Sequence, residues 1–195
     1  MSEIKIKGNS SGGGIYTLES GAGSTDRTIT LPDATGTLLD NTNNTFFTTD
    51  FWRLTADVTA TTTGMAITSN LGKAGVHAGF VGSGMTESSG VFTFPSTGVW
   101  RVASKFMMER YDTNSIIQTR IWTTNDNTNY TRNTAEGWTN SDDNITIFNE
   151  IHFDVTDTSL CKLYFGCQAY SNAMTMKGST VENETSFLFQ RLGDT

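Results

Sequence analysis

The chain of 195 residues is poor in proline, cysteine and histidine, with two of each, and it contains no long apolar run. Each shortage removes a class of function. No stretch of 18 apolar residues occurs, so no helix of this sequence is expected to cross a membrane. Lys and Arg number 13 against 20 Asp and Glu, a formal net charge of −7 without a basic cluster. Such a surface repels phosphates, and no nucleic-acid partner is expected. The opening MSEIKIKGNSSGGG lacks an apolar h-region, so neither an ordinary signal peptide nor membrane insertion is expected. Cys161 and Cys167 stand six residues apart in LCKLYFGCQAY. Six residues of strand separate Cα atoms by roughly 20 Å, beyond disulfide reach. Their parity matches Leu163, Phe165 and Ala169, which points both thiols into a core as small apolar groups. The pair gives no reason to infer an oxidising compartment. Strong helix formers are sparse as well, and no window of ten residues carries an apolar stripe at helical spacing.

What the sequence does have is alternation. In NITIFNEIHFDV, Ile145, Ile147, Asn149, Ile151, Phe153 and Val155 take one parity, while Thr146, Glu150, His152 and Asp154 take the other. A period of two marks a half-buried β-strand over 144–155; only Phe148 breaks the polar face and only Asn149 the apolar one. The same reading places Trp52, Leu54 and Ala56 on one face of FWRLTAD, followed by a Thr-rich turn at Asp57–Gly64. GVFTFPSTGVWRVASKFMMERYD gives two strands around PSTG, with Trp100, Val102, Phe106 and Met108 on a shared face. Ile117 and Ile121 pair on one side of NSIIQTRIWTT, Ile116 and Trp122 on the other. In the terminal SFLFQRLGDT, Phe187 and Phe189 oppose Leu188. Eight to ten strands result over the last 145 residues, at the spacing of an all-β sandwich or jelly roll.

Residues 1–50 are of another kind. Short extended pieces around Ile4 and Ile6, around Ile15, and around Ile29 and Leu31 are divided by GNSSGGG and SGAGSTD. They carry too few apolar side chains for a private core. Such a segment stays a flexible arm or buries its aliphatics against other copies or another protein; the regular recurrence favours the second. A boundary between a 1–50 docking or trimerisation segment and a 51–195 knob is expected.

Two resemblances attach to these phrases. GSTDRTITLPDATGTLLD, Gly23 to Asp40, resembles the "TLPDATGTL" segments near the N-termini of phage fibre and virion structural proteins. That implies intertwined or prism-like β structure in a trimer, or a base that docks on the virion. GVFTFPSTGVWRVASKFMM resembles the segment of C1q/TNF-like domains with Gly90, Phe92, Pro95, Gly98 and Val102 in place, and with Trp100 where Tyr is usual. The last strand is similar at Ser186 and Phe187 but lacks the family's Gly near Phe189. This second resemblance implies a ten-stranded jelly roll packed as a homotrimer, with aromatic side chains along the three-fold axis. Phe148, Tyr164 and Tyr170, outward by parity, are the expected trimer-interface residues.

Candidate chemistry is thin. GFVGSG at 79–84 has no helix or Lys after it, so a phosphate loop is not expected. His152 shares its face with Glu150 and Asp154, but no G-x-S-x-G elbow occurs. No catalytic residue is assigned and no enzyme is expected. Asp142, Asp143, Asp154 and Asp157 are the weak calcium candidates, set against the turn chemistry that Asp and Asn ordinarily serve; no metal and no cofactor is expected. The polar stretch Asn125–Asn144 is long for a β connection and carries Tyr130, Arg132 and Trp138. Aromatics among small polar residues suit recognition of a bacterial surface glycan or protein; a Trp138 that plugs the sandwich end stands level with that reading. The expectation is a homotrimeric virion knob, made in the host cytoplasm and joined to other virion proteins by its first segment. The alternative is a free C1q-like carbohydrate- or protein-binding module.

Overall fold

The computed structural model describes residues 48–61, 63–74, 81–110, 116–139, 144–170 and 173–195, the side chains of Arg110, Trp138 and Thr139 excepted. All of them lie within one compact unit, Leu39–Thr195. The expected short strands at Ile4, Ile6, Ile15, Ile29 and Leu31 lie outside the described residues.

The described residues form strands and no helix. In chain order these are β1 (Thr49–Leu54), β2 (Val58–Ala60), β3 (Met65–Ala66), β4 (Leu71–Lys73), β5 (Thr86–Ser88), β6 (Val91–Thr93) and β7 (Gly98–Arg110). Then come β8 (Ile116–Thr124), β9 (Thr131–Arg132), β10 (Glu136–Thr139), β11 (Asn144–Val155), β12 (Lys162–Ala169), β13 (Met174–Met176) and β14 (Ser186–Gly193). The first sheet runs β2-β13-β7-β14-β1-β4, with β11 along the other edge of β7. The second runs β10-β8-β12-β6-β5, with β9 beside β8 and β3 beside β12. The pairings within both sheets are antiparallel, and β11 stays in register with β7 from Asn144↔Glu109 to Val155↔Gly98.

Burial along β11 follows the alternation of its sequence, with Ile147, Asn149 and Val155 buried and Thr146, Phe148, Glu150, His152 and Asp154 exposed. Asn149 keeps its core-facing place because its Nδ2 donates to Thr119 Oγ1 of the facing sheet at 2.7 Å. The two sheets close on an aromatic seam. Phe92 of β6 meets Trp52 edge-on at 5.2 Å and Phe189 at 5.0 Å, while Phe165 of β12 stacks on Phe187 at 4.1 Å. Trp100, Val102, Phe106 and Met108 of β7 are buried as their shared parity requires. Both cysteines are free and buried, and burial pushes the Cys167 thiol up to about 12.

Two expectations change, and one turn is added. β1 ends at Leu54, so Ala56 is exposed instead of sharing the face of Trp52 and Leu54. The Thr-rich stretch after Asp57 contains β2, because Val58–Ala60 finds backbone partners on β13, which is distant in sequence. TESSGV is a two-residue hairpin between β5 and β6, with Ser89 and Gly90 at φ 52° and 86°. Positive φ at both turn positions gives the right-twisting hairpin, and glycine takes the second at no steric cost.

Asp50, just before the expected boundary, is 1% exposed and holds the entry to the sandwich. Its carboxylate accepts Trp52 Nε1–H at 2.9 Å and the Met85 amide at 2.7 Å, with Lys73 Nζ at 3.3 Å. Gly84 explains part of the glycine-rich phrase: a Cβ there would stand 2.6 Å from Asp50 Oδ2 and 2.5 Å from Lys73 Nζ.

Phe92→Ala removes the ring on which both sheets converge, and about 3–5 kcal/mol of unfolding free energy should go with it; urea unfolding of wild type and variant measures the difference. Neither thiol should react with a chromogenic disulfide reagent until denaturant is added, since burial withholds the thiolate. Rapid labelling of the native protein would contradict the core placement of both.

Candidate functional site

The sandwich turns two outer faces to solvent, and the predicted site residues divide between them. On the first sheet, cross-strand register builds three parallel rows across β1, β14, β7 and β11. Phe51, Leu188, Ala103 and Glu150 form the middle row; Arg53, Ser186, Lys105 and Phe148 form one flank; Thr49, Gln190, Arg101 and His152 form the other. A groove of about 460 Å³ lies along this face with Phe51, Ala103, Phe148 and Leu188 among its walls. Phe148 is 65% exposed at its end. Arg101 Nη2 donates to Glu150 Oε2 at 2.6 Å, which holds the Glu150 carboxyl below its ordinary value; His152 Nε2 stands 3.9 Å from Glu150. His152 therefore neighbours one exposed carboxylate, and its partners here are those of a surface group.

The second sheet presents a different chemistry. β8 and β12 place Trp122 opposite Tyr164, Arg120 opposite Gly166, and Gln118 opposite Gln168. Trp122 and Tyr164 stack at 5.8 Å with ring planes 14° apart, and Tyr130 leans on Tyr164 at 5.0 Å. Burial raises the phenol of Tyr164, and that of Tyr130 likewise. Arg120 donates from Nε and Nη2 to Gln118 Oε1 at 3.0 and 2.6 Å, and from Nη2 to Gln168 Oε1 at 2.5 Å and Tyr170 Oη at 3.0 Å. Tyr170, 48% exposed, donates in turn to Gln118 Oε1 at 2.9 Å.

Phe148 and the pair Tyr164 and Tyr170 thus belong to opposite faces of the sandwich and form no common patch, which corrects the grouping expected from parity alone. Parity identifies an outward residue but not the sheet to which its strand belongs. The stretch Asn125–Asn144 also differs from an open loop. Asp126 caps its first turn, its Oδ1 accepting the amides of Thr128 and Asn129 at 2.9 and 2.7 Å. The chain then returns along β8 as β9 and β10, which sets Arg132 opposite Trp122 and pairs Trp138 with Ile117. Tyr130 and Arg132 therefore join the aromatic face, together with Trp122 and Arg120, which sequence reasoning missed. Trp122 was visible as an outward residue, but its neighbours come from strands whose register no local pattern discloses.

Of the calcium candidates, Asp142 and Asp143 lie outside the described residues. Asp157 serves a turn: the Ser159 hydroxyl and amide donate to its Oδ1 at 2.6 and 2.7 Å, and these bonds hold its carboxyl below the ordinary pKa of an aspartate. Asp154 sits on the exposed parity of β11. Among the described residues no three His, Cys, Asp or Glu side chains gather as a metal would need.

No protein-family model and no curated protein matches this sequence. Among solved structures the chain is similar to murine APRIL, at a TM-score of 0.56 and 10% identity over 75% of this chain and 99% of that one. It is likewise similar to the Eiger TNF of S. frugiperda, at a TM-score of 0.57 and 12% identity over 76% of this chain and 94% of that one. At such identities the likeness concerns the fold, which is an all-β, C1q/TNF-like jelly roll.

Ion pairs and side-chain hydrogen bonds make stability depend on pH. Lys177 Nζ bridges Asp57 at 2.7 Å and Glu109 at 3.0 Å. The hydrogen bond from Lys177, and then that from the Gly178 amide, lowers Asp57; the same carboxylates raise Lys177. Lowered carboxyls such as Asp57, Glu150 and Asp126 contribute stability that is present above the unfolded-state value near pH 4 and lost as pH falls through the folded one. Lys177 contributes below its unfolded value near pH 10 and loses this as pH rises through the folded one. Thermal midpoints should therefore be flat at neutral pH and fall at both extremes. Asp57→Asn should weaken both limbs together; a variant with an unchanged acid limb and an unchanged alkaline limb would remove the Asp57–Lys177 pair from this account.

Proposed function

We propose that this chain is a structural virion protein of a bacteriophage: a homotrimeric surface knob of a small tail or head fibre, or of capsid decoration. It contributes to host-surface attachment or to capsid stabilisation. The observation that carries the self-association is the outer face of the first sheet. A 65% exposed Phe148 beside a groove walled by Phe51, Ala103 and Leu188 leaves apolar surface without cover in one copy. Sister copies supply that cover at no cost in specificity, because Arg101, Lys105 and Glu150 in adjoining positions fix the register of approach. The TNF-like fold is compatible with that mode of assembly.

The virion assignment rests on the segment Gly23–Asp40, through its resemblance to phage fibre and virion proteins, with residues 1–50 as the docking part and the sandwich as the knob. Three copies on one base would multiply a weak contact to a bacterial surface by effective concentration. The acidic balance of −7 suits a particle that stays dispersed and repels nucleic acid.

Light scattering on the full chain should give about three times the 21.3 kDa of one copy. Phe148→Arg should weaken association at least tenfold, about 1.4 kcal/mol or more, with the circular dichroism of the sandwich retained. A wild-type protein that remains monomeric at every concentration ends the proposal.

A further inference from the structure

The outer face of the second sheet holds a feature that self-association does not use. Arg120 is 8% exposed, yet every partner of its guanidinium is neutral: Gln118, Gln168 and Tyr170. Its Nη1 makes no hydrogen bond among the described residues. That nitrogen borders a small pocket of about 90 Å³ lined by Gly64, Met65, Ala66, Arg120, Trp122 and Tyr164. A Cβ on Gly64 would stand 2.9 Å from Arg120 Nη1, whereas one on Gly166 would stand 2.8 Å from the Met65 carbonyl oxygen, so Gly166 admits the approach of β3. Trp122 Nε1–H likewise has no acceptor among the described residues. Two donors without a protein acceptor among the described residues, one of them on a charged side chain, thus belong to residues that border the space Gly64 keeps open. With only neutral partners the guanidinium still has a charge-assisted bond to offer at Nη1, and a carboxylate in the pocket would take it more favourably than water does.

Size and surroundings narrow the ligand. A pocket of about 90 Å³ has room for a few water-sized atoms, which fits a carboxylate and not a ring. The rest of the ligand must lie outside, over Trp122, Tyr164 and Tyr130, with Arg132 opposite Trp122 and the amides of Gln118 and Gln168 beside it. Aromatic faces fringed by amides and a phenol suit the mixed C–H and hydroxyl surface of a sugar. We propose that this face binds a carboxylate-bearing sugar residue of an acidic polysaccharide, with the carboxylate at Arg120 Nη1 and Trp122 Nε1 and the ring on the tyrosine–tryptophan stack. The site is complete within one copy, so it stands whether or not the trimer forms.

Titrating the full chain with trigalacturonate and with neutral galactotriose, followed by calorimetry, tests this directly. Binding should be confined to the acidic trisaccharide, and acetate should compete with it. Arg120→Gln should lower affinity at least tenfold, as loss of a charge-assisted contact requires. Trp122→Phe keeps a ring but removes the N–H; it should lower affinity several-fold and keeps the test open if Arg120→Gln fails to fold. Equal binding of the neutral sugar, or affinity unchanged in folded Trp122→Phe, overturns the site. So does binding of peptide C-terminal carboxylates in place of the acidic sugar. Light scattering on the same samples separates failure of this site from failure of the trimer.

Discussion

The structure depends on one contact layer, the aromatic seam where Phe92 and Phe165 of one sheet meet Trp52, Phe187 and Phe189 of the other. Strand geometry then leaves no freedom. Because successive side chains alternate, fixing these rings inward commits every residue of the other parity to solvent or to a partner. Phe148 is exposed because Ile147 and Asn149 are not, and Trp122 stands outside because Ile121 and Thr123 are inside. The two outer faces are thus consequences of the core.

The faces differ because the supports beneath them differ. On the first sheet the long β7–β11 pair lays out regular rows, and Phe51, Leu188 and Ala103 make an apolar stretch of the middle one. Such a surface gains most from burial against another protein. On the second sheet Gly64 leaves room beside Arg120, and β9 folds back to set Arg132 opposite Trp122. This surface is polar, concave and aromatic, which favours a small ligand. In the proposed reading, one sandwich assembles through one side and recognises through the other.

Asp50 shows how polar groups anchor the same layer. It is buried, yet satisfied by the Trp52 indole, the Met85 amide and Lys73, so a charge at the sheet edge orients a core ring. Ser104 and Asn149 show the opposite case: Ser104 Oγ and Asn149 Oδ1 are buried without partners among the described residues. The interior is polar where β7 and β11 face Thr119 of β8, and the aromatic seam carries the packing around it.

The sequence by itself determined the strands whose side chains alternate strongly: β7, β8, β11, β12 and β14, with the inward parity of Trp100, Ile117, Ile147, Cys167 and Phe187. Alternation is a local property and needs no knowledge of neighbours. The short strands β2, β5, β9 and β10 were not legible, since two to four residues carry no period and exist only because a distant strand offers hydrogen bonds. Likewise Tyr130 and Arg132 could be singled out as aromatic and cationic on a polar stretch, but their company with Trp122, Tyr164 and Arg120 required the register of three strands, β8, β9 and β12. Tertiary structure alone decided which outward residues share a face, because sheet membership is set by pairing across long sequence distances and not by the residues themselves.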